Sequence, residues 1–168
     1  ATPDRPEDLA SIPILQRSDI RREIEQFNAQ EEKIGNNTLL YVPAVTNKIA
    51  YFNWFFDMTG VESRLLPYCY LLTDVLGKFN TESFTYEELA TNSIMYTGGI
   101  AFNTHALSDS NDADVYKINF SVKAKALMEN LPKLFEILKS VALETKLDDI
   151  NRFRELVAEL KTDWDGSF

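Results

Sequence analysis

One cysteine and one histidine, Cys69 and His105, are all the thiol and imidazole chemistry in 168 residues. A single cysteine excludes an internal disulfide framework and suits a reducing compartment. A protein-only zinc site draws on several His, Cys or carboxylate ligands, and a Ser or Cys nucleophile needs a paired base, so self-sufficient chemistry of either kind has little to build on. No run of 18 or more apolar residues is present, and the opening Ala1 to Ala10 is proline-rich and charged, without the apolar centre of a signal peptide. These absences predict a soluble chain with no membrane partner. Neither a G-x-G-x-x-G nor a Walker-type loop occurs, and no internal repeat is visible. Basic residues are in deficit, 17 Lys plus Arg against 26 Asp plus Glu for a net charge of -9. Such a field repels an extended polyanion, which argues against nucleic acid. The same acidity could draw cationic peptides or simply keep the domain soluble.

What the chain does have is enough apolar material, 45% of its residues, for one well-buried core. Residues 1–17, with three prolines before position 14 and no sustained periodicity, read as a linker or arm pinned by Leu9, Ile12 and Ile14. Residues 18–168 read as a single domain. The chain opens on Ala1 and stops soon after a helical pattern, so it reads as a piece of something longer, truncated at its C-terminal end.

Alternating Ile20, Arg22, Ile24 and Gln26 suggest an edge strand over 18–31, with helix as the competing reading. Gly35-Asn36-Asn37 is turn chemistry, and 38–42 is a short β run closed by Pro43. The aromatic stretch 49–56 predicts a buried strand, paired in antiparallel fashion with 38–42. Beyond Pro67 the period changes, and Leu65, Cys69, Leu72, Leu76 and Phe79 form one helical stripe. Thr85 and Glu88 have capping-box spacing for a second helix reaching about Met95. After Gly98-Gly99, strands over 100–107 and 115–122 form a hairpin. Asn130 ahead of Leu131-Pro132 marks a third helix with Leu131, Leu134, Phe135, Leu138 and Val141 on one face. Ile150, Phe153, Val157 and Leu160 repeat that pattern in a fourth. Strands and helices in blocks predict an α+β domain, a largely antiparallel sheet with helices packed on one face.

Candidate sites are few. His105 lies mid-strand with no second His or Cys to join it, and reads as structural. Cys69 falls on the apolar stripe of its helix and reads as a packed small side chain. The 109–114 loop has a calcium-loop flavour, but Asp114 stands where Gly is wanted and Phe120 where Glu is wanted. Alternate residues of the aromatic strand belong in a core, which leaves Tyr51, Asn53 and Phe55 as candidates for a free face.

Asp8-Leu9-Ala10-Ser11-Ile12-Pro13 with Ser18-Asp19-Ile20, then 46–52 (TNKIAYF), Leu66-Pro67-Tyr68, Thr97-Gly98-Gly99 and Asn130-Leu131-Pro132 resemble, in order, the start of the second half of presequence-protease-type zinc metallopeptidases. These belong to the pitrilysin and insulinase superfamily. The resemblance implies a pitrilysin or processing-peptidase-like metallohydrolase domain, the third of four that close in pairs around a chamber where unfolded peptides are cut. In that family the first domain holds the catalytic zinc through an inverted H-x-x-E-H motif, whose Glu serves as general base, with a further Glu ligand downstream. Laid on the first helix here, the motif falls at or near Tyr70, Thr73 and Asp74 in place of His, Glu and His. No histidine occurs between Ala1 and Thr104, so no register restores it.

The resemblance therefore implies a non-catalytic domain of a zinc endopeptidase, with no catalytic and no metal-binding residue of its own. Zinc would reside in the first domain of the parent protein. The domain's partners would be the other domains of the same polypeptide and an unfolded peptide substrate, met at Tyr51, Asn53, Phe55 and the edge near Ile20 to Gln26. The competing reading is a structural or interaction module of the same fold with no peptidase role. A cytoplasmic location is expected in a bacterium and an organellar one in a eukaryote.

Overall fold

The computed structural model describes residues 15–20, 28–108, 112 and 114–166. The chain groups into two compact units, 1–45 and 46–168. In the first, Arg17–Asp19 forms a single 3-10 turn, and β1 (Gln30–Ile34) pairs antiparallel with β2 (Asn37–Tyr41). A two-residue turn at Gly35-Asn36 joins them, with Gly35 at φ +61, a conformation that costs glycine nothing. Half of the strand expected over 18–31 falls outside the described residues; within them its start is the 3-10 turn and its end opens β1.

The strand pairing differs from the sequence expectation. Residues 38–42 do not pair with the aromatic strand: Leu40 faces Glu31 in β1, and β3 (Ile49–Asp57) pairs with a later strand. The partner β1 reads Gln-Glu-Glu-Lys-Ile, a composition depleted in strands, so only the tight turn betrays it.

In the second unit β3, β4 (Ile100–Ser108) and β5 (Tyr116–Leu127) form an antiparallel sheet in the order β3-β5-β4. The β4–β5 hairpin is where the sequence put it, and β5 runs five residues beyond its expected end at Val122. Between β3 and β4, a 3-10 turn at Ser63–Leu65 runs into α1 (Leu66–Val75), and α2 (Tyr86–Tyr96) follows. After β5 come α3 (Leu131–Leu143) and α4 (Ile150–Asp165). The described residues thus make an α+β fold with antiparallel sheets.

Even-numbered positions of the three strands supply the sheet's apolar face. Phe52 and Trp54 stack at 5.2 Å, and Phe135 of α3 meets both edge-on at 5.5 and 6.1 Å, the offset geometry aromatic quadrupoles favour. Ala124, Ala126 and Leu134 are buried beside them, and Leu89, Ile137 and Val141 close over Ile100 and Phe102. A separate cluster of Val75, Phe79 and Leu156 joins α1 to α4.

Helix starts show which local signals succeed. Thr85 caps α2 as its spacing predicts: its Oγ1 accepts from the Glu88 amide at 3.2 Å, and Glu88 Oε2 accepts from the Thr85 amide at 2.8 Å. Asn130 also precedes a helix, but its side chain makes no cap. The 3-10 turn Met128–Asn130 leads straight into α3 and holds Asn130 at φ -93, ψ 0, away from the extended geometry a cap needs. On α4 the buried residue is Leu156, at 1% exposure, whereas Ile150 is 63% exposed. The packed stripe is rotated toward the Val75 and Phe79 cluster, and a 3.6-residue period alone does not fix that rotation.

One polar network is also structural. Ser140 Oγ, buried on α3, lies 2.7 Å from Thr81 Oγ1 and donates at 3.0 Å to Glu144 Oε2, which also accepts from Ser83 Oγ at 2.6 Å. Backbone bonds from Glu82 N to Glu144 O and from Lys146 N to Asn80 O complete the tie between the loop before α2 and the end of α3. The Ser83 hydroxyl, and after it that of Ser140, holds the Glu144 carboxyl below its ordinary value.

Candidate functional site

Side chains alternate across a strand, so the face opposite the aromatic core consists of the odd positions. Tyr51, Asn53, Phe55 and Asp57 of β3 lie there, in register with Lys125, Lys123, Ser121 and Asn119 of β5. On β4, Ala101, Asn103 and His105 continue the rows. Tyr51 and Phe55 are 63% and 53% exposed, and Asn53 is exposed between them. All three candidate contact residues of β3 are therefore brought together on one open face. The proposed edge near Ile20 to Gln26 lies outside the described residues apart from Ile20.

His105 belongs to the same face. Its Nε2 is 3.0 Å from Ser121 Oγ, and its ring centroid lies 6.4 Å from that of Phe55. A Ser-His pair invites comparison with a nucleophile and its base, but Ser121 is 0% exposed, between Phe55 and Asn103 in register. Among the described residues no carboxylate hydrogen-bonds the imidazole. The contact satisfies a buried hydroxyl and orients the ring. At the end of β3, Asp57 Oδ1 accepts from the Thr59 hydroxyl and from its backbone N–H, the latter at 2.8 Å, and these bonds hold its carboxyl below the ordinary range.

The helix positions matched to a zinc motif sit on α1. Tyr70 is exposed, Thr73 Oγ1 donates to the Tyr70 carbonyl at 2.7 Å, and Asp74 is half-buried. One carboxylate, a phenol and a hydroxyl already engaged with backbone do not fit a zinc ion. Among the described residues no group of three or more His, Cys, Asp or Glu side chains could hold a metal ion. Cys69, half-buried one residue before Tyr70, is a free thiol. Of the 109–114 loop, Asp112 and Asp114 are described, and Asp112 Oδ1 accepts the Asp114 amide at 3.0 Å.

Two features escaped sequence reasoning. A cavity of about 350 Å³ opens on the odd face beside Gly98-Gly99, between Tyr51, Asn53, Lys123 and Lys125. A groove of about 550 Å³ runs between α1 and α4, walled by Pro67, Tyr70, Leu71, Val157, Leu160 and Trp164. The lysines of β5 alternate with Val122, Ala124 and Ala126, which was the available signal for the first. The second depends on how two helices meet, which no single segment encodes.

Comparison with known proteins fits the motif order. All of residues 1–168 match the family described as peptidase M16 (subfamily C) associated. The chain belongs to this family. This peptidase-associated chain is 34% identical over 167 residues to Protein HypA of Clostridium perfringens, an alignment covering 99% of this chain and 17% of that protein. It is 26% identical over 149 residues to the mitochondrial presequence protease of Drosophila melanogaster and 26% over 153 residues to that of Xenopus laevis. Those alignments cover 87% and 91% of this chain but 14% and 15% of the relatives. The peptidase-associated chain thus spans less than one fifth of the length of these curated relatives. No helix among its described residues is long and apolar enough to cross a membrane.

Proposed function

We propose that this chain is a non-catalytic domain of a zinc-dependent endopeptidase and that the odd face of its β3-β5-β4 sheet forms part of the wall against which unfolded peptide is held. The observation that carries this reading is the division of the sheet: Phe52 and Trp54 pack beneath α3 while Tyr51, Asn53 and Phe55 stand exposed together on the other side. Aromatic side chains exposed in a row offer apolar area at little entropic cost, which suits contact with peptides of varied sequence. The similarity to presequence proteases supports peptide as the ligand, and the poor fit of α1 to zinc supports placing the metal in another domain of the full-length protein. The groove between α1 and α4 supports a contact with other domains of the same polypeptide, because its walls are mostly apolar and the matched relatives are several times longer. Location follows the organism, bacterial cytoplasm or a eukaryotic organelle, as the mitochondrial relatives suggest.

The test is a peptide titration of the full-length protein, with chelator present to prevent cleavage. Tyr51→Ser and Phe55→Ser should each weaken binding about tenfold, as expected for removing an aromatic contact. Unchanged affinity in both variants would overturn the wall. The competing reading, an interaction module without a peptidase role, requires that the upstream part of the coding sequence carry an inactivated motif. An intact H-x-x-E-H there excludes it.

A further inference from the structure

The open sheet face carries a charge opposite to that of the whole chain. Its charged residues are Asp57, Lys117, Lys123 and Lys125, three cations against one anion in a protein of net charge -9. Asp57 lies at the end of β3 and is engaged with Thr59. Lys123 and Lys125 have no ion-pair or hydrogen-bond partner for their ammonium groups among the described residues. Their cross-strand neighbours are Asn53 and Ala101 for Lys123, and Tyr51 for Lys125, all uncharged. Two lysines two positions apart on one strand project to the same side of the sheet, their Cα atoms roughly 7 Å apart.

Their setting is shaped. Lys125 bonds the glycine pair through backbone, from Gly98 N to Lys125 O at 2.7 Å and from Lys125 N to Gly99 O at 3.3 Å. A Cβ on Gly98 would come within 2.9 Å of Lys125 Cγ and Cε, so the lysine stem lies directly over glycine backbone, and any other residue would displace it. The 350 Å³ cavity lies between this lysine, Lys123, Tyr51 and Asn53, and a second of about 370 Å³ shares Tyr51, Gly98 and Lys125 with it.

We propose that this cavity is a carboxylate subsite, receiving an Asp or Glu side chain of a peptide held against the wall. A carboxylate accepts several hydrogen bonds at once, and the ammonium groups, the Tyr51 hydroxyl and the Asn53 amide are all donors. The overall acidity of the chain argues for cationic ligands, but the fixed charges on this face are three lysines against one aspartate. The inference rests on the peptide-wall reading and adds to it a preference for one side-chain chemistry.

The test uses two extended, otherwise uncharged decapeptides that differ only in a central Glu or Gln, titrated against the full-length protein under chelation. The unaltered protein should bind the Glu peptide about five- to tenfold more tightly than its Gln twin, as for one charge-assisted contact. The Lys123→Gln/Lys125→Gln pair should abolish that ratio, so that the Glu and Gln peptides bind it equally. The Lys123→Arg/Lys125→Arg pair and the remote Lys78→Gln should both retain it. Equal binding of the two peptides by the unaltered protein overturns the subsite. A ratio that survives Lys→Gln, or is lost equally in the Arg pair, overturns it too. If Tyr51→Ser and Phe55→Ser still weaken both peptides in those cases, the wall stands without the subsite. If they weaken neither, both fail.

Discussion

Leu156 and Ile150 lie six positions apart on α4 and have opposite fates. Leu156→Ala empties space between Val75 and Phe79 and should cost about 2–5 kcal/mol in urea unfolding, whereas Ile150→Ala should stay within about 0.5 kcal/mol. The polar tie at the end of α3 makes a second claim at this scale. Ser140→Ala leaves Thr81 and Glu144 each short of a hydroxyl partner and should cost roughly 1–3 kcal/mol. Because the Glu144 carboxyl titrates lower folded than unfolded, its contribution is complete above the ordinary glutamate value and is lost as pH falls through the lowered one. Urea midpoints recorded from neutral to acidic pH should therefore fall less steeply in Glu144→Gln than in the unaltered chain; identical slopes would show that the carboxylate is not held by the network. Neither residue was legible in sequence. Leu156 lies beside the expected apolar stripe, and Ser140 pairs with Thr81 across 59 positions.

The elements themselves were mostly legible, because local chemistry fixes them. The Thr85 capping box, Pro67 and Pro132 in first turns and Gly98-Gly99 before β4 all act within a few residues, and each start formed where they indicated, whereas α1 ends at Val75, short of the Leu76 and Phe79 of the expected stripe, and β5 runs past Val122. Pairing was harder, since register depends on partners distant in sequence, and β1 lacks the composition of a strand. The caps give a paired test. Thr85→Ala should lower stability by about 1 kcal/mol, and Asn130→Ala, with no cap bond to lose, should be near neutral in the same thermal melt. Equal losses would mean that the two helix starts are not distinguished by their side chains.

For the molecule as a whole, the motif order pointed to the family that the comparisons then showed, and alternation along β3 separated Tyr51, Asn53 and Phe55 from Phe52 and Trp54. The cavity and groove stayed hidden, because each is made where separate elements meet. In the full-length protein a peptide wall on this sheet requires the odd face of β3 to meet bound peptide. A photoreactive phenylalanine analogue at position 55 should crosslink to bound extended peptide under chelation, and the same analogue at position 70 on α1 should not. Crosslinking at position 70 with none at position 55 would contradict the assignment of the open sheet face as the peptide-contacting wall.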